Sequence, residues 1–401
     1  MRRVVITGLG PVSNIGIGAA AFESGLRGGH NGISAITSFD TAGFPRTMAG
    51  EVRAFEPEPI LRRLDTAAWG RSSLFAAAAA RLAVRDAGLR VDQVPPHRVG
   101  VVVGTTSGES KVTEEMGRRI VDHGFPALPG DLAEHLPAGR LAAAVSEELG
   151  VTGESVTLAT ACSASNYALG YAYDLVANGD ADVMLTGGAD SVCRWAHAGF
   201  VRLGAVADKA CAPFDRDRSG MITAEGGAML LLESADHARA RGATPYAEVL
   251  GYGLNCDARH MVAPDAASIA ECMRLAHRNA GVRPDDIDYV CAHGTGTAAN
   301  DATEAAALED AFDGRVPPVS SIKSMLGHTM GAASAFGVMA AALAIARGFL
   351  PPTINWSNPD PAMARLDPIP NHARPARVRV AQNNGFAFGG NNAIVLLGAV
   401  S

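Results

Sequence analysis

This chain lacks blocks of like charge, paired cysteines and long apolar runs. Its 34 basic and 41 acidic residues leave a net charge of −7, and neither sign gathers into the kind of run that makes a nucleic-acid arm or a solvated tail. Nucleic acid is therefore not an expected partner, although a local basic patch could still steer an acidic protein partner. The six cysteines stand at 162, 193, 211, 256, 272 and 291. With no CxxC pair and no dense spacing, they argue against a zinc site and against the disulfide framework of a small secreted domain. The opening Met-Arg-Arg-Val-Val-Ile-Thr-Gly turns glycine-rich too soon for the apolar core of a signal peptide. No uninterrupted apolar run approaches the roughly 20 residues that a membrane helix needs. The expectation is a reduced, soluble, cytoplasmic protein that binds no metal, nucleic acid or membrane.

The composition, 48% hydrophobic and 19% charged over 401 residues, suffices for a large core. Length alone suggests two or three domains, or two halves fused into one α/β body. Short apolar runs rich in β-formers predict buried strands over 3–7, 99–103, 156–160, 183–186, 229–232, 247–250, 289–292, 378–381 and 393–397. Between them, alanine-rich stretches with leucine at helical spacing predict helices over 67–87, 164–177, 267–280, 303–311 and 331–347. Strands alternating with helices imply an α/β layering. Proline and glycine mark loops over 123–131 and 350–361, and no tandem repeat of solenoid type is present.

The strand predicted over 156–160 runs into Ala161-Cys162-Ser163-Ala164-Ser165-Asn166 and then into a helical pattern of small residues. Cys162 is thus expected at a strand-to-helix turn, where the helix dipole favours the thiolate. A free cysteine is also commonly no more than a small buried residue, and that is the reading for the other five. Cys291 is the nearest rival because it precedes a histidine by two positions, but it lies inside an apolar strand.

Tyr289-Val290-Cys291-Ala292-His293-Gly294-Thr295-Gly296-Thr297 places His293 at the carboxyl end of a strand, the edge where open α/β sheets bind ligands. Ser320-Ser321-Ile322-Lys323-Ser324-Met325-Leu326-Gly327-His328 brings a lysine and a second histidine ahead of the last long helix. Two histidines, each in a polar loop beside glycine, point to chemistry more than one would. A cysteine with two imidazoles suits thioester chemistry: the thiolate takes an acyl group and the imidazoles stabilise an enolate oxygen, which needs two donors. Glu304 is the expected ion-pair partner of Lys323, though such pairs are often of little energetic worth.

Weaker signals remain. Gly8-Leu9-Gly10 imitates a dinucleotide fingerprint but lacks its third glycine. Gly385-Phe386-Ala387-Phe388-Gly389-Gly390 reads as a flexible loop carrying two aromatics, or as a plain turn. Arg62, Arg63 and Arg71 form a basic cluster, either a solvated helix face or a docking site for a carrier protein.

Together these segments resemble the β-ketoacyl-ACP synthases of the thiolase-like superfamily, above all the elongating type II synthases of fatty-acid and polyketide assembly. The motifs run nearly the whole length: Val4-Val5-Ile6-Thr7-Gly8-Leu9-Gly10, Thr160-Ala161-Cys162-Ser163, Pro213-Phe214-Asp215-Arg216-Asp217-Arg218-Ser219-Gly220, Ala292-His293-Gly294-Thr295-Gly296-Thr297, Lys323-Ser324-Met325-Leu326-Gly327-His328, Pro351-Pro352-Thr353-Ile354-Asn355 and the Gly389-Gly390 loop. The resemblance implies a five-layered αβαβα body of two similar halves, 1–250 and 251–401, usually dimeric. A Cys-His-His triad of Cys162, His293 and His328 would lie at their junction, supported by Lys323 and Glu304. It further implies an oxyanion hole from the N–H groups of Cys162 and Phe388, with Phe388 as an aromatic gate. Thr295 and Thr297 would hold the phosphopantetheine arm of an acyl carrier protein, and Phe200 and Thr113 would line the acyl pocket. No cofactor is implied beyond that arm. The partner subunit would be a second copy or a chain-length-factor-like chain.

Departures from the family pattern bear on subtype. Ala387 replaces a common glycine in the gate loop, Asn391 a common threonine, and Gly337 an acid found in many fatty-acid enzymes. Ala299-Asn300-Asp301-Ala302-Thr303-Glu304 looks closer to type II polyketide ketosynthases, so polyketide or polyene assembly is expected over housekeeping fatty-acid elongation. A non-catalytic partner subunit would typically lack the cysteine. A thiolase would carry another cysteine near its C-terminus, and none follows Cys291.

Overall fold

The computed structural model describes residues 1–400. Its first half contains the strands Val4–Ser13 (β1), Val99–Gly104 (β2), Ser155–Leu158 (β3), Val183–Asp190 (β4) and Gly226–Ser234 (β5). The helices that accompany them are Arg71–Asp86 (α1), Ser110–His123 (α2), Arg140–Leu149 (α3), Ala164–Asn178 (α4) and Arg194–Arg202 (α5). The second half contains Ala247–Cys256 (β6), Tyr289–Cys291 (β7), Val319–Ser320 (β8), Val380–Phe386 (β9) and Asn391–Gly398 (β10), with helices Ala266–Ala280 (α6), Ala298–Ala311 (α7) and Ala333–Arg347 (α8).

The strands lie in the order β8-β7-β9-β10-β6-β1-β5-β4-β2-β3. Counted outward from the middle, each half places its first, fifth, fourth, second and third strand in turn, so one topology occurs twice. The outer three strands of each half are parallel and the inner pairings antiparallel. The halves join where β1 pairs with β6, Val4 opposite Val249 and Ile6 opposite Ala247. A boundary at residue 250 therefore cuts through β6, and the second copy of the topology begins at Ala247.

Five layers result. Helices α1 and α3 cover the outer face of the first half and α6 and α7 that of the second, while α4 and α8 pack against each other between the two halves of the sheet. Every residue of α8 from Ala333 to Ala344 is buried, which small side chains permit and a polar face would forbid. The segment Met330–Arg347 is long and apolar enough to cross a membrane, yet it is the core helix of this middle layer and mostly buried. The glycines of β1 have a similar packing reason. A Cβ at Gly10 would lie 1.8 Å from the Ala79 carbonyl oxygen and one at Gly8 2.2 Å from that of Ala83, so Gly8-Leu9-Gly10 lets α1 approach the sheet.

All nine predicted strands are present, several longer than expected, and the two-residue β8 is an addition. The 123–131 loop contains a helical turn, Phe125–Ala127, and leads into a short helix, Gly130–Glu134. One local motif also recurs. Ala161 (φ 50°) and Met330 (φ 53°) adopt left-handed backbone, each opens a three-residue 3₁₀ turn, and each turn feeds a fifteen-residue helix closed by a left-handed glycine, Gly179 or Gly348.

Candidate active site

Cys162 sits on the first of these elbows, between the end of β3 at Leu158 and the start of α4 at Ala164. Left-handed backbone at a residue with a Cβ costs on the order of 1–3 kcal/mol, so the elbow at Ala161 is held by its surroundings. Ser165 Oγ donates to the Gly331 carbonyl, and the Asn166 N–H donates to Ser334 Oγ at 3.1 Å. The two elbows thus lock together across the halves.

The N–H groups of Cys162 and Phe388 both face the sulfur, the arrangement that would receive an oxyanion on an acyl group carried there. Burial nonetheless pushes the thiol up to about 12, against the pull of Lys323 and these N–H groups, while Asp190 reinforces the rise. The expected thiolate at a helix N-terminus is therefore not the resting state: loss of water outweighs the dipole. Cys291 is buried in β7 and pushed up to about 11, and Cys211 is wholly enclosed.

His293 follows β7 and opens a loop that turns through Gly294 (φ 39°) and Gly296 (φ 75°). The loop is pinned from α7. Glu304 accepts from the N–H groups of His293 (2.8 Å) and Gly294 (2.7 Å) and from Asn384 Nδ2 (2.9 Å), and Asp301 accepts from Gly296 N–H at 3.1 Å. Ser321 Oγ donates to the Gly294 carbonyl at 2.6 Å. The expected Lys323–Glu304 ion pair is not formed. Lys323 Nζ donates to the His293 carbonyl and lies 3.4 Å from His293 Nδ1. Both charged groups spend their hydrogen bonds on the loop, so they grip the His293 backbone from two sides instead of each other.

The rings of His293 and His328 meet edge to face, 5.5 Å apart. Burial, then Lys323, then His328 hold His293 well below the usual imidazole range, and burial followed by Lys323 does the same to His328. Both imidazoles are neutral at pH 7. The Met330 N–H donates to His328 Nδ1 at 3.0 Å, which leaves the ring proton on Nε2. The Lys323 ammonium beside His293 Nδ1 selects the same tautomer there. Two Nε2–H donors are therefore available to a substrate oxygen.

Cys162, His293 and His328 line one cleft, together with Thr295, Thr297, Phe200 and Phe388. Thr295 Oγ1 and Thr297 Oγ1 are 2.9 Å apart, and Thr297 also caps α7. The Phe200 and Phe388 rings stand 6.0 Å apart at the mouth. Ala387 also lines this cleft and is not left-handed; the freedom of the gate loop rests in Gly389 (φ 88°) and Gly390 (φ 78°). Gly337 lies so close to Asn383 Oδ1 that a Cβ would stand 2.1 Å from it, leaving no room for an acid.

Thr113 does not reach the cleft. It is exposed on α2, one helical turn past the residues that approach the site, with its hydroxyl 3.4 Å from the Glu109 carbonyl. Ser107 and Ser110 stand beside Phe200 instead. Arg71 is not a docking residue: it pairs with buried Glu225 at 2.6 Å, donates to the Val52 carbonyl and lies over the Phe75 ring. Arg62 and Arg63 are exposed, but their N–H groups bond Glu148 at the end of α3 that feeds the start of β3, away from the end that delivers Cys162.

Sequence reading missed Asp301, Ser321, Asn384 and Asp190. Asp190 accepts from the N–H groups of Thr106 (2.7 Å), Ser107 (3.1 Å) and Gly331 (2.7 Å) and from Thr105 Oγ1 (2.8 Å).

Comparison with known proteins gives this geometry a family. The beta-ketoacyl synthase N-terminal domain matches residues 1–238 and the C-terminal domain residues 246–357. The 3-oxoacyl-[acyl-carrier-protein] synthase 2 of Synechocystis sp. is 36% identical over 98% of this chain and 96% of its own length. The structure of the ishigamide ketosynthase/chain length factor superposes with a TM-score of 0.98 at 47% identity, covering 100% of both chains. A type II polyketide synthase acyl-carrier protein in complex with its ketosynthase bound to the hexaketide gives a TM-score of 0.92 at 31% identity, again covering 100% of both chains. The chain belongs to the beta-ketoacyl synthase family of acyltransferases, with the thiolase-like fold, and carries the machinery of a β-ketoacyl-[acyl-carrier-protein] synthase.

Proposed function

We propose that Cys162 holds the growing acyl chain while His293 and His328 receive the malonyl unit, in the assembly of a polyketide or polyene. The observation that carries this reading is the enclosure of one thiol, two N–H groups aimed at its sulfur and two neutral Nε2–H imidazoles in a single cleft. In the first half-reaction the thiol displaces the pantetheine thiol of an acyl carrier. One thioester forms, one breaks, and the proton passes from one sulfur to the other.

In the second half-reaction, malonyl on its carrier loses carbon dioxide. The electron pair moves into an enolate whose oxygen accepts from both imidazoles. The α-carbon then attacks the acyl-cysteine carbonyl, whose developing oxyanion faces the N–H groups of Cys162 and Phe388. The carbon–sulfur bond breaks, and Cys162 takes up one proton as it returns to the thiol. Thr295 and Thr297 supply hydroxyls where a pantetheine arm would enter, and no resident cofactor is needed. The setting proposed for this chemistry is the cytoplasm.

The relative titled ketosynthase/chain length factor and the ketosynthase in complex with its acyl-carrier protein support a carrier protein and a second subunit of this fold as partners. The exposed outer edge of β3 and the exposed Val121 and Phe125 offer that subunit a surface. The 3-oxoacyl-[acyl-carrier-protein] synthase 2 relative supports fatty-acid elongation as the second reading. Intact-mass measurement after incubation with an acyl carrier tests the chemistry: Cys162→Ala should gain no acyl mass, and an acylated variant refutes the assignment. Matched saturated and unsaturated acyl carriers test the pathway, with equal rates on saturated chains overturning the polyketide preference.

A further inference from the structure

The hydrogen bonding around Glu304 does not end at Asn384. Gln382 Nε2 donates to Asn384 Oδ1 at 2.8 Å, and Gln382 Oε1 lies 2.7 Å from Nε2 of His277 on α6. A chain of polar side chains therefore runs from the outer helical layer to the carboxylate that grips the His293 loop. Gln382 and Asn384 share one face of β9, as alternate residues of a strand do. All four side chains are buried, at 4% exposure or less.

The chain can run in only one direction. Three donors converge on Glu304, namely the N–H groups of His293 and Gly294 and Asn384 Nδ2, and an ionised carboxylate only accepts. Asn384 must therefore turn its carbonyl oxygen toward Gln382, and Gln382 its own toward His277. The ring proton of His277 then lies on Nε2 and leaves Nδ1 bare, and Nδ1 is indeed buried without a partner. Burial holds this ring below the usual imidazole range; Gln382 opposes that, while Arg274 and Arg278 on the same helix reinforce it. His277 is thus a neutral donor, and every donor in the chain points toward Glu304.

Packing alone does not call for such a chain. Gln382 pairs with Val290 on one side and Leu396 on the other, both members of the apolar cluster of the second half. The Phe312 ring meets that of His277 edge to face at 5.4 Å. Apolar side chains of like volume would fill these places without burying polar groups. Aligned donors in a buried setting strengthen one another, and Glu304 is a carboxylate that benefits. Burial raises its pKa, Asp301 on its own helix adds to the rise, and Asn384 is foremost among the groups that hold it down. Lys323, whose charge favours the ionised form, and the thiol of Cys291 in β7 also face it.

We propose that His277 and Gln382 are positioning residues for the second half-reaction, holding the Glu304 carboxylate through Asn384, and with it the His293 loop, where the imidazole meets the malonyl unit. This rests on the reading of His293 as an enolate donor. Without the chain Glu304 would take up a proton more readily, and one oxygen facing the N–H of His293 or Gly294 would become a donor. Activity in this step then requires the ionised form. Removing a donor from a carboxylate raises its pKa, so the acid limb of the second half-reaction should move to higher pH.

The test compares the unaltered enzyme with His277→Leu, Gln382→Met and His277→Gln. Acylation of Cys162 is followed by intact mass, and malonyl decarboxylation and condensation by the acylated enzyme are followed from about pH 5.5 to 8.5. In His277→Leu and Gln382→Met the acid limb should rise by about 0.7 pH unit. That is about fivefold slower turnover at the acid end, the scale of a hydrogen bond to a charged group. At the alkaline end, and in acylation throughout, the rates should stay within about twofold of the unaltered enzyme. His277→Gln, whose amide can donate from the same place, should keep the original limb.

An unmoved acid limb in the first two variants overturns the inference. So does a uniform fall in both half-reactions, which would make the chain structural only. Should those variants fail to fold, the unaltered enzyme still decides: nitrogen-15 histidine spectra, with His277 assigned by its absence in His277→Gln, should show a neutral ring protonated on Nε2. A proton on Nδ1 there refutes the one-directional chain. An unaltered enzyme that acylates but never decarboxylates malonyl refutes the reading of His293 itself, whereas condensation with an unmoved limb refutes only the chain.

Discussion

At Cys162 the protonation states run opposite to those of an activated thiolate beside a charged histidine. Burial keeps the thiol protonated, at about 12, and holds both imidazoles neutral. The thiolate fraction should then grow about tenfold per pH unit across the working range. Alkylation of Cys162 by iodoacetamide, mapped by peptide mass, should accelerate steadily from pH 7 to about pH 10. A plateau below pH 9 would mean that a neighbour ionises the thiol in the resting state. His328 has a narrower duty. Its ring proton is fixed on Nε2 by the Met330 N–H, so His328→Ala should retain part of the acylation while lowering malonyl decarboxylation by about 10²-fold or more, as removal of an oxyanion donor does. Equal losses in both half-reactions would deny it that separate role.

At the scale of elements, the site is a set of loops fastened at their backbones. Asp190, the last residue of β4, ties the 105–107 segment after β2 to Gly331 on the second elbow. Burial raises its carboxyl from 3.8 to about 6 against these hydrogen bonds. That raised value favours the folded state below about pH 3.8, and the contribution is lost as pH rises through about 6. Asp190→Ala strands the buried N–H of Gly331 and the part-buried N–H groups of Thr106 and Ser107 and should destabilise the protein by roughly 2–4 kcal/mol in urea unfolding; an unchanged midpoint would show that the donors find water.

The strands and core helices were legible because their alanine and valine patterns are local, and Cys162, His293 and His328 were legible because each sits where a pattern breaks. The partners of Lys323, Glu304 and Arg71 were not. Glu225 is 154 positions from Arg71, and nothing in either neighbourhood announces the pair. Thr113 was misplaced because α2 is polar on average and its sparse Val112-Met116-Ile120 stripe was not read as a helix, which hid the direction of its side chains. The thiol's pKa was misjudged because burial, unlike a helix end, has no short sequence signature.

At the scale of the whole molecule, ten strands in a row leave β3 and β8 as the terminal members, and an open strand edge invites pairing. Val121 and Phe125, 84% and 74% exposed, place apolar surface on α2 and just beyond it. Light scattering should find the chain as a dimer, with itself or with a second subunit of the same fold. The double variant Val121→Asp, Phe125→Asp should shift it toward monomer, and a dimer unmoved by both charges would place the interface elsewhere.

The doubled elbow also bears on how far such a protein can be treated as modular. Cys162 stands on one copy and Gly331 on the other, where a Cβ would lie 2.5 Å from Thr105 Cα and 2.6 Å from Asp190 Oδ2. Each half thus supplies what the other's elbow requires: Asp190 and Ser165 serve Gly331, and Ser334 serves Asn166. Chimeras that graft one half onto a relative's other half inherit a joint cut for a different counterpart, and these five positions would have to travel across the graft together.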